Sequence, residues 1–257
     1  MSERDPELTR RVEEASLNAW PAMHQLLLDR WLLRMSNGFT KRANCVVPLY
    51  EGGSDDGTEG DELVLLDKIR YCENLYAREQ LQTIFRLTNS QPHDHLDRVL
   101  AERGYRALDT TLVQLAELRR PLAQEGEIEL LPLPEWLQIY SRLARMPATA
   151  SELHATLIRA IRPDCAFGIV RVDGAPVACL LGVLEHDLLG LFDVITHPDH
   201  RGAGHAGRLI SGILNWGREQ GARRAYLQVV ADNEPAISLY ARLGFRELYR
   251  YWYRQTG

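Results

Sequence analysis

Residues 193–210, DVITHPDHRGAGHAGRLI, constrain this chain more than any other stretch. An apolar run from Leu188 to Thr196 reads as a strand and Pro198-Asp199 as a turn. A glycine-punctuated basic loop then leads into an apolar-periodic segment that reads as a helix. Backbone N–H groups in the first turn of a helix have no partner inside it, and the aligned peptide dipoles add positive potential there. A strand, loop and helix start in this order therefore offers a seat for a phosphate. Gly202, Gly204 and Gly207 let the backbone come close to such a ligand, and Arg201 adds charge.

The rest of the chain bounds what that seat can belong to. At 257 residues there is room for two compact domains. A hydrophobic content of 45% with 25% charged residues is ordinary for a globular protein, and no apolar run is long enough to span a bilayer, so no membrane partner is expected. The opening MSERDPELTRRVEE is charged and lacks the apolar core of a signal peptide, which gives the expectation of a cytoplasmic protein. Cys45, Cys72, Cys165 and Cys179 are scattered without paired spacing and read as reduced structural thiols. A net charge of -5 gives no general attraction to nucleic acid.

Helical spacing runs through residues 6 to 28, interrupted at Pro21, and the segments 30–35 and 44–50 read as strands. Residues 51–62 are an acidic, glycine-rich loop, followed by a helix through Leu65, Ile69, Leu75 and Leu81. The strand TIFRLT, a helix over 92–103 and the strand-rich YRALDTTLVQLAEL come next. The break at 120–127 reads as a linker between a domain over 1–122 and one over 128–257. The second half opens with the strand IELLPL and helices over 134–145 and 150–161. Two strands joined at Asp173-Gly174 form a hairpin, and the strand LLGLFDVIT enters the opening motif. A helix from Gly204 to Gln220, the strand AYLQVV, the helix PAISLYARL and the strand FRELYRYWYR close the chain. The class is mixed α/β.

Two segments together carry a family resemblance. Arg201-Gly202-Ala203-Gly204-His205-Ala206 fits the Arg/Gln-x-x-Gly-x-Gly/Ala loop of the GNAT superfamily of N-acetyltransferases, and Asn233 to Tyr240 with Gly244-Phe245 resembles its second signature. The resemblance covers roughly 128–257 and implies an α/β fold of α+β type, a mostly antiparallel sheet with helices on both faces. It also implies acetyl-CoA as co-substrate, with no metal. The diphosphate would sit on the amides of Arg201, Gly202, Ala203, Gly204, His205 and Ala206. Pantetheine would lie where Val194, Ile195 and Thr196 splay from the strand AYLQVV. Asn233 and Ala236 would contact the cofactor, and Asn233 is also a good helix cap. Between His200 and Arg224 five Arg stand against one acid, Glu219, although Arg218, Arg223 and Arg224 read better as a solvated helix face.

Amide transfer requires an amine to lose a proton, a thioester carbonyl to be polarised and a thiolate to be protonated. By resemblance Tyr240 is the general acid and the amide of Ile195 or a neighbour polarises the carbonyl. Many relatives carry a glutamate base on the strand before the loop, and its register falls on Gly190. Asp193 ranks first and Glu185 second as the base, acting through water, with a structural role open for each. The spacing of His197, His200 and His205 could suggest a metal, but turn, loop and helix-start positions explain them better.

The first half resembles the second in placing Gly104-Tyr105-Arg106 against Gly244-Phe245-Arg246, which suggests two tandem GNAT-like folds. Leu100 then stands where Tyr240 does, and the acidic 51–62 stretch replaces the phosphate loop with six carboxylates and no Lys or Arg. The expectation is an N-acetyltransferase acting on a primary amine, of a small molecule or of a peptide or protein, with a degenerate N-terminal copy. A homodimer is compatible with it. A non-catalytic acyl-CoA-binding module and an Arg-rich adaptor are the alternatives.

Overall fold

The computed structural model describes residues 5–49, 59–122 and 127–256, with side chains of the second segment from residue 62 onward. The elements are α1 (Pro6–Ala19), β1 (His24–Leu28), β2 (Trp31–Met35), β3 (Val46–Pro48), α2 (Glu59–Arg78), β4 (Ile84–Thr88), α3 (Asp94–Glu102) and β5 (Arg106–Glu117). They continue with β6 (Glu129–Leu130), α4 (Leu133–Leu143), α5 (Ala148–Ala160), β7 (Asp164–Val172), β8 (Ala175–Glu185) and β9 (Leu188–Thr196). The chain closes with α6 (His205–Glu219), β10 (Arg224–Val230), α7 (Glu234–Arg242) and β11 (Arg246–Gln255). The pairing is mostly antiparallel, with β3–β4 and β9–β10 parallel. Among the described residues, no helix is long and apolar enough to cross a membrane.

The expected hairpin at Asp173-Gly174 forms, with φ of +49° and +78° at its two turn residues, as a two-residue turn matched to strand twist requires. The helix expected over 6–28 ends at Ala19, and His24–Leu28 is strand instead. Asp29 and Arg30 both take positive φ and fold Leu28 back onto Trp31, so turn geometry overrides the helical spacing of Leu26 and Leu27. Most of the acidic 51–62 stretch lies outside the described residues; from Glu59 it is helix, not loop.

Two compact units divide the chain, and neither is contiguous. One comprises Leu112–Leu248 with the N-terminal segment through Ala19; the other comprises Trp20–Thr111 with the segment from Tyr249. The expected linker at 120–127 is thus not where the units part. In the first unit Leu118 N–H donates to the Arg223 carbonyl (2.8 Å), tying the chain after β5 to the start of β10. In the second, Tyr251–Gln255 of β11 pairs with Ile84–Thr88 of β4. Each unit therefore closes with a strand from the other half of the sequence.

The large unit packs helices on both faces of its sheet. Successive strand residues point to opposite faces. A Cβ on Gly168 would lie 2.9 Å from Ile213 of α6, while its neighbour Phe167 packs against Trp136 of α4 at 5.4 Å between ring centres. Leu189, Leu191, Leu209, Ile213, Ala225 and Leu227 form the core on the α6 side. The small unit has its own core around Leu33, Ile69, Phe85, Val99 and Leu100. Along the chain the succession β3-α2-β4-α3-β5 is repeated as β9-α6-β10-α7-β11. The helix exits also agree. Tyr105 N–H donates to Leu100 O and Phe245 N–H to Tyr240 O, both at 3.0 Å, beside Gly104 and Gly244 at φ of +86° and +92°.

Separating the halves at the expected linker should remove β5 from the large unit and expose the edge of β10. A fragment from Ile128 onward is expected to lose the cooperative melt that one from Leu112 retains, followed by circular dichroism. Equal melts would mean that β5 adds nothing to that unit.

Candidate active site

The site is built where β9 changes partner. On one side β9 stays paired with β8, as far as Ala178↔Thr196. On the other its parallel pairing with β10 runs from Leu188↔Arg224 only to Leu191↔Leu227, although both strands continue. Past that point β9 bulges. Phe192 faces Leu181 and Ile195 faces Cys179, so Asp193 and Val194 share the single position opposite Leu180. Asp193 takes φ +51° there, a left-handed conformation open to Asp at modest cost. Val194, Ile195 and Thr196 are half-buried, and their β10-side edge is open to a ligand.

The loop from β9 to α6 holds Gly202 and Gly204 at φ +78° and +81°, and a Cβ at either would meet nothing within 4 Å. Gly204 is the N-cap of α6, so the first-turn amides from His205 and Ala206 face outward without a side-chain cap. Exposed Arg201 folds back to the Thr196 carbonyl (Nε to O, 3.4 Å). Arg208 donates to the Glu127 carbonyl, and Arg224 pairs with Glu117 (2.9 Å) and Asp187 (3.3 Å), so these two cations serve the fold. Asn233 caps α7 by accepting from Ala236 N–H (3.3 Å). His197, His200 and His205 follow one another along the loop, ring centres 5.7 and 6.0 Å apart, and His197 Nδ1 accepts from Asp199 N–H.

Tyr240 lies on α7, buried, with its ring edge-on to Phe245 at 6.0 Å. Burial pushes its phenol up to about 12, so it remains a proton donor at neutral pH.

The two carboxylates ranked as base have different surroundings. Asp193 is gripped: the Tyr140 hydroxyl donates to its Oδ1 (3.0 Å), and His154 Nε2 lies 2.7 Å from its Oδ2. Glu185 pairs with Leu188 at the far end of the β8–β9 hairpin, where Asn18 of α1 donates to it (2.9 Å). The structure does not bring Glu185 to Asp193, because Asp193 stands opposite Leu180, five residues along β8 from Glu185 and roughly 17 Å away at the usual rise. Neighbouring Asp187 pairs with Arg11 and Arg224, which together outweigh burial and hold its carboxyl below the usual range.

Gly190, the register of the family glutamate, is filled from next door. It pairs with Tyr226 of β10, and a Cβ there would lie 2.6 Å from the Tyr226 hydroxyl and 2.5 Å from the Phe192 ring. No side chain fits at that position while Tyr226 stays in place.

A family model described as the C-terminal part of the probable histone acetyltransferase Rv0428c matches residues 8–254. The chain belongs to that family. It is a GNAT-superfamily N-acetyltransferase, an acyltransferase enzyme. It is 27% identical to the uncharacterized N-acetyltransferase YobR of Bacillus subtilis, over 95% of this chain and 97% of that protein. It is 26% identical to the probable histone acetyltransferase Rv0428c of Mycobacterium tuberculosis, over 92% of this chain and 70% of that one. A solved GCN5-related N-acetyltransferase from Kribbella flavida shares the fold with a TM-score of 0.71 at 18% identity, covering 96% and 95% of the two chains.

Sequence reasoning missed Tyr140, His154 and Tyr226. An acid inside the apolar run LLGLFDVIT was the available signal, since a buried carboxylate requires donors. Which residues donate depends on how α4 and α5 pack.

Two outcomes test this geometry. Gly190→Ala should destabilise the enzyme by about 1–3 kcal/mol through overpacking, read as a lower thermal midpoint; an unchanged midpoint would mean Tyr226 can step aside. Tyr240 ionises near pH 10 when unfolded and about 12 when folded, so its stabilising contribution is complete below pH 10 and fades as pH rises through 12. The difference between wild-type and Tyr240→Phe phenolate absorbance titrations should show one group titrating near 12; a midpoint near 10 would place Tyr240 in water.

Proposed function

We propose that the enzyme transfers an acetyl group from acetyl-CoA directly to a primary amine in a ternary complex. The observation that carries this reading is the coincidence of two openings: the β9 edge freed beyond Leu191↔Leu227 and the bare amides at Gly204 that start α6. The first suits a chain of amide groups such as pantetheine and the second suits a diphosphate. Arg201, Gly202, Ala203, Gly204, His205 and Ala206 hold the diphosphate, and Val194, Ile195 and Thr196 hold pantetheine. Asn233 and Ala236 keep the start of α7 beside the cofactor.

The residues then divide the chemistry. The Ile195 amide or its neighbour donates to the thioester oxygen and stabilises the charge that develops there. Tyr240, kept protonated by burial, gives its proton to the departing sulfur. Asp193 serves as the base that the loss of the amine proton requires, acting through an intervening group. The N-terminal half serves as a degenerate copy, a reading supported by its matching succession of elements and by Leu100 at the position of Tyr240.

The deciding experiment is an amine screen with acetyl-CoA, read by thiol release. Because the Mycobacterium relative is named a probable histone acetyltransferase, basic peptides belong in the screen beside small amines. Tyr240→Phe should keep CoA affinity and lose at least about tenfold in turnover; unchanged turnover would remove it from the mechanism. Gly204→Glu should abolish CoA binding in calorimetry by straining an αL position and charging the phosphate seat. Tight binding by that variant would place the diphosphate elsewhere.

A further inference from the structure

The Asp193 carboxylate sits within one residue of the freed edge, yet its side chain is only 9% exposed and that of His154 only 3%. A carboxylate so covered does not meet an amine directly. Its route outward is Tyr140, which is half-buried, lies near the end of α4 and donates its hydroxyl to Asp193 Oδ1 at 3.0 Å. The ring of Tyr140 is stacked on Trp136 at 5.1 Å and 13° and on His154 at 4.6 Å and 22°, and those two rings lie 6.3 Å from each other, so the three form one cluster. A surface tyrosine that only covered the sheet would not need its ring and its hydroxyl both fixed.

We infer that Tyr140 is the group that takes the proton from the acceptor amine, passing its own to Asp193, with His154 as a positioning residue that holds the carboxylate. This rests on the acetyl-transfer reading above. The amine N–H bond breaks as its proton bonds to the Tyr140 oxygen, and the former Tyr140 O–H proton bonds to Asp193 Oδ1. The nitrogen keeps the electron pair with which it attacks. The tyrosine is restored, the carboxyl is neutral, and solvent removes its proton after the acetylated product leaves. His154 stays on Oδ2 throughout, fixing which oxygen is available.

The other groups around Asp193 do not offer a competing route. Cys179 of β8 is buried, and burial together with the Asp193 charge pushes its thiol up. Tyr226 of β10 is 1% exposed and turned toward Gly190. From α1, Arg11 and Asn18 are engaged with Asp187 and Glu185 at the far end of β9.

The test uses Tyr140→Phe, Asp193→Asn and His154→Gln in the full chain, with the best amine from the screen. Both kcat and KM are measured between pH 6.5 and the pKa of the free amine. At pH 7 the first two variants should lose at least about tenfold in kcat, with KM for acetyl-CoA within about twofold of wild type. Their deficit should shrink to under about threefold as pH approaches the pKa of the amine, because water then delivers the amine already neutral. His154→Gln should show a smaller loss of the same pH form. Wild-type kcat at pH 7 in Tyr140→Phe, or a deficit equal at every pH, would overturn the relay. Tyr140→Phe keeps the ring stack, so it decides alone if Asp193→Asn does not fold. A wild type that binds acetyl-CoA but acetylates no amine would instead remove the transfer reading, and this inference with it.

Discussion

A strand can satisfy its backbone with two neighbours or keep one edge for something else, and β9 does both in turn. Up to Leu191 it is paired on both sides; beyond it, only β8 remains. An unpaired edge inside a fold would ordinarily be a cost, since each N–H and C=O requires a partner. Here the bulge at Asp193 and Val194 turns the edge away from β10 and leaves it at a half-buried surface.

The bulge is itself held from the opposite face. A left-handed aspartate costs on the order of 1 kcal/mol, and hydrogen bonds to a charged group contribute roughly 1.5–3 kcal/mol each. The contacts of Asp193 with Tyr140 and His154 are therefore ample to keep it there. They also join α4 and α5 to the bulge in β9. Gly190 serves the same end by absence: without a Cβ it admits the Tyr226 hydroxyl, and the space a longer side chain would occupy becomes core.

Much of this was legible in the residues. The loop glycines, the helix they precede and the Asn233 cap depend on local backbone chemistry, which a short stretch specifies completely. Asp173-Gly174 is legible for the same reason. The strand His24–Leu28 was not, because its leucines repeat with helical spacing and only the unusual φ of Asp29 and Arg30 reverses the chain. Nor were the partners of Asp193: Tyr140 and His154 lie 53 and 39 residues away on separate helices. Such contacts follow from packing, which no spacing rule encodes. Glu185 looked close in sequence, but a hairpin carries its two ends apart as effectively as a helix would.

The exchange of closing strands bears on how the chain is made. Residues Trp20–Thr111 are synthesised early, yet the strand that pairs with β4 comes only at Tyr251–Gln255. At about 5–20 residues per second, the intervening stretch takes roughly ten to thirty seconds to emerge. During that interval the outer edge of β4 has no native partner, and its neighbour in the finished sheet is still on the ribosome. The usual order, in which an N-terminal domain completes itself before the next begins, does not hold for this chain. Its two units must mature together, once the strand over Tyr251–Gln255 has emerged.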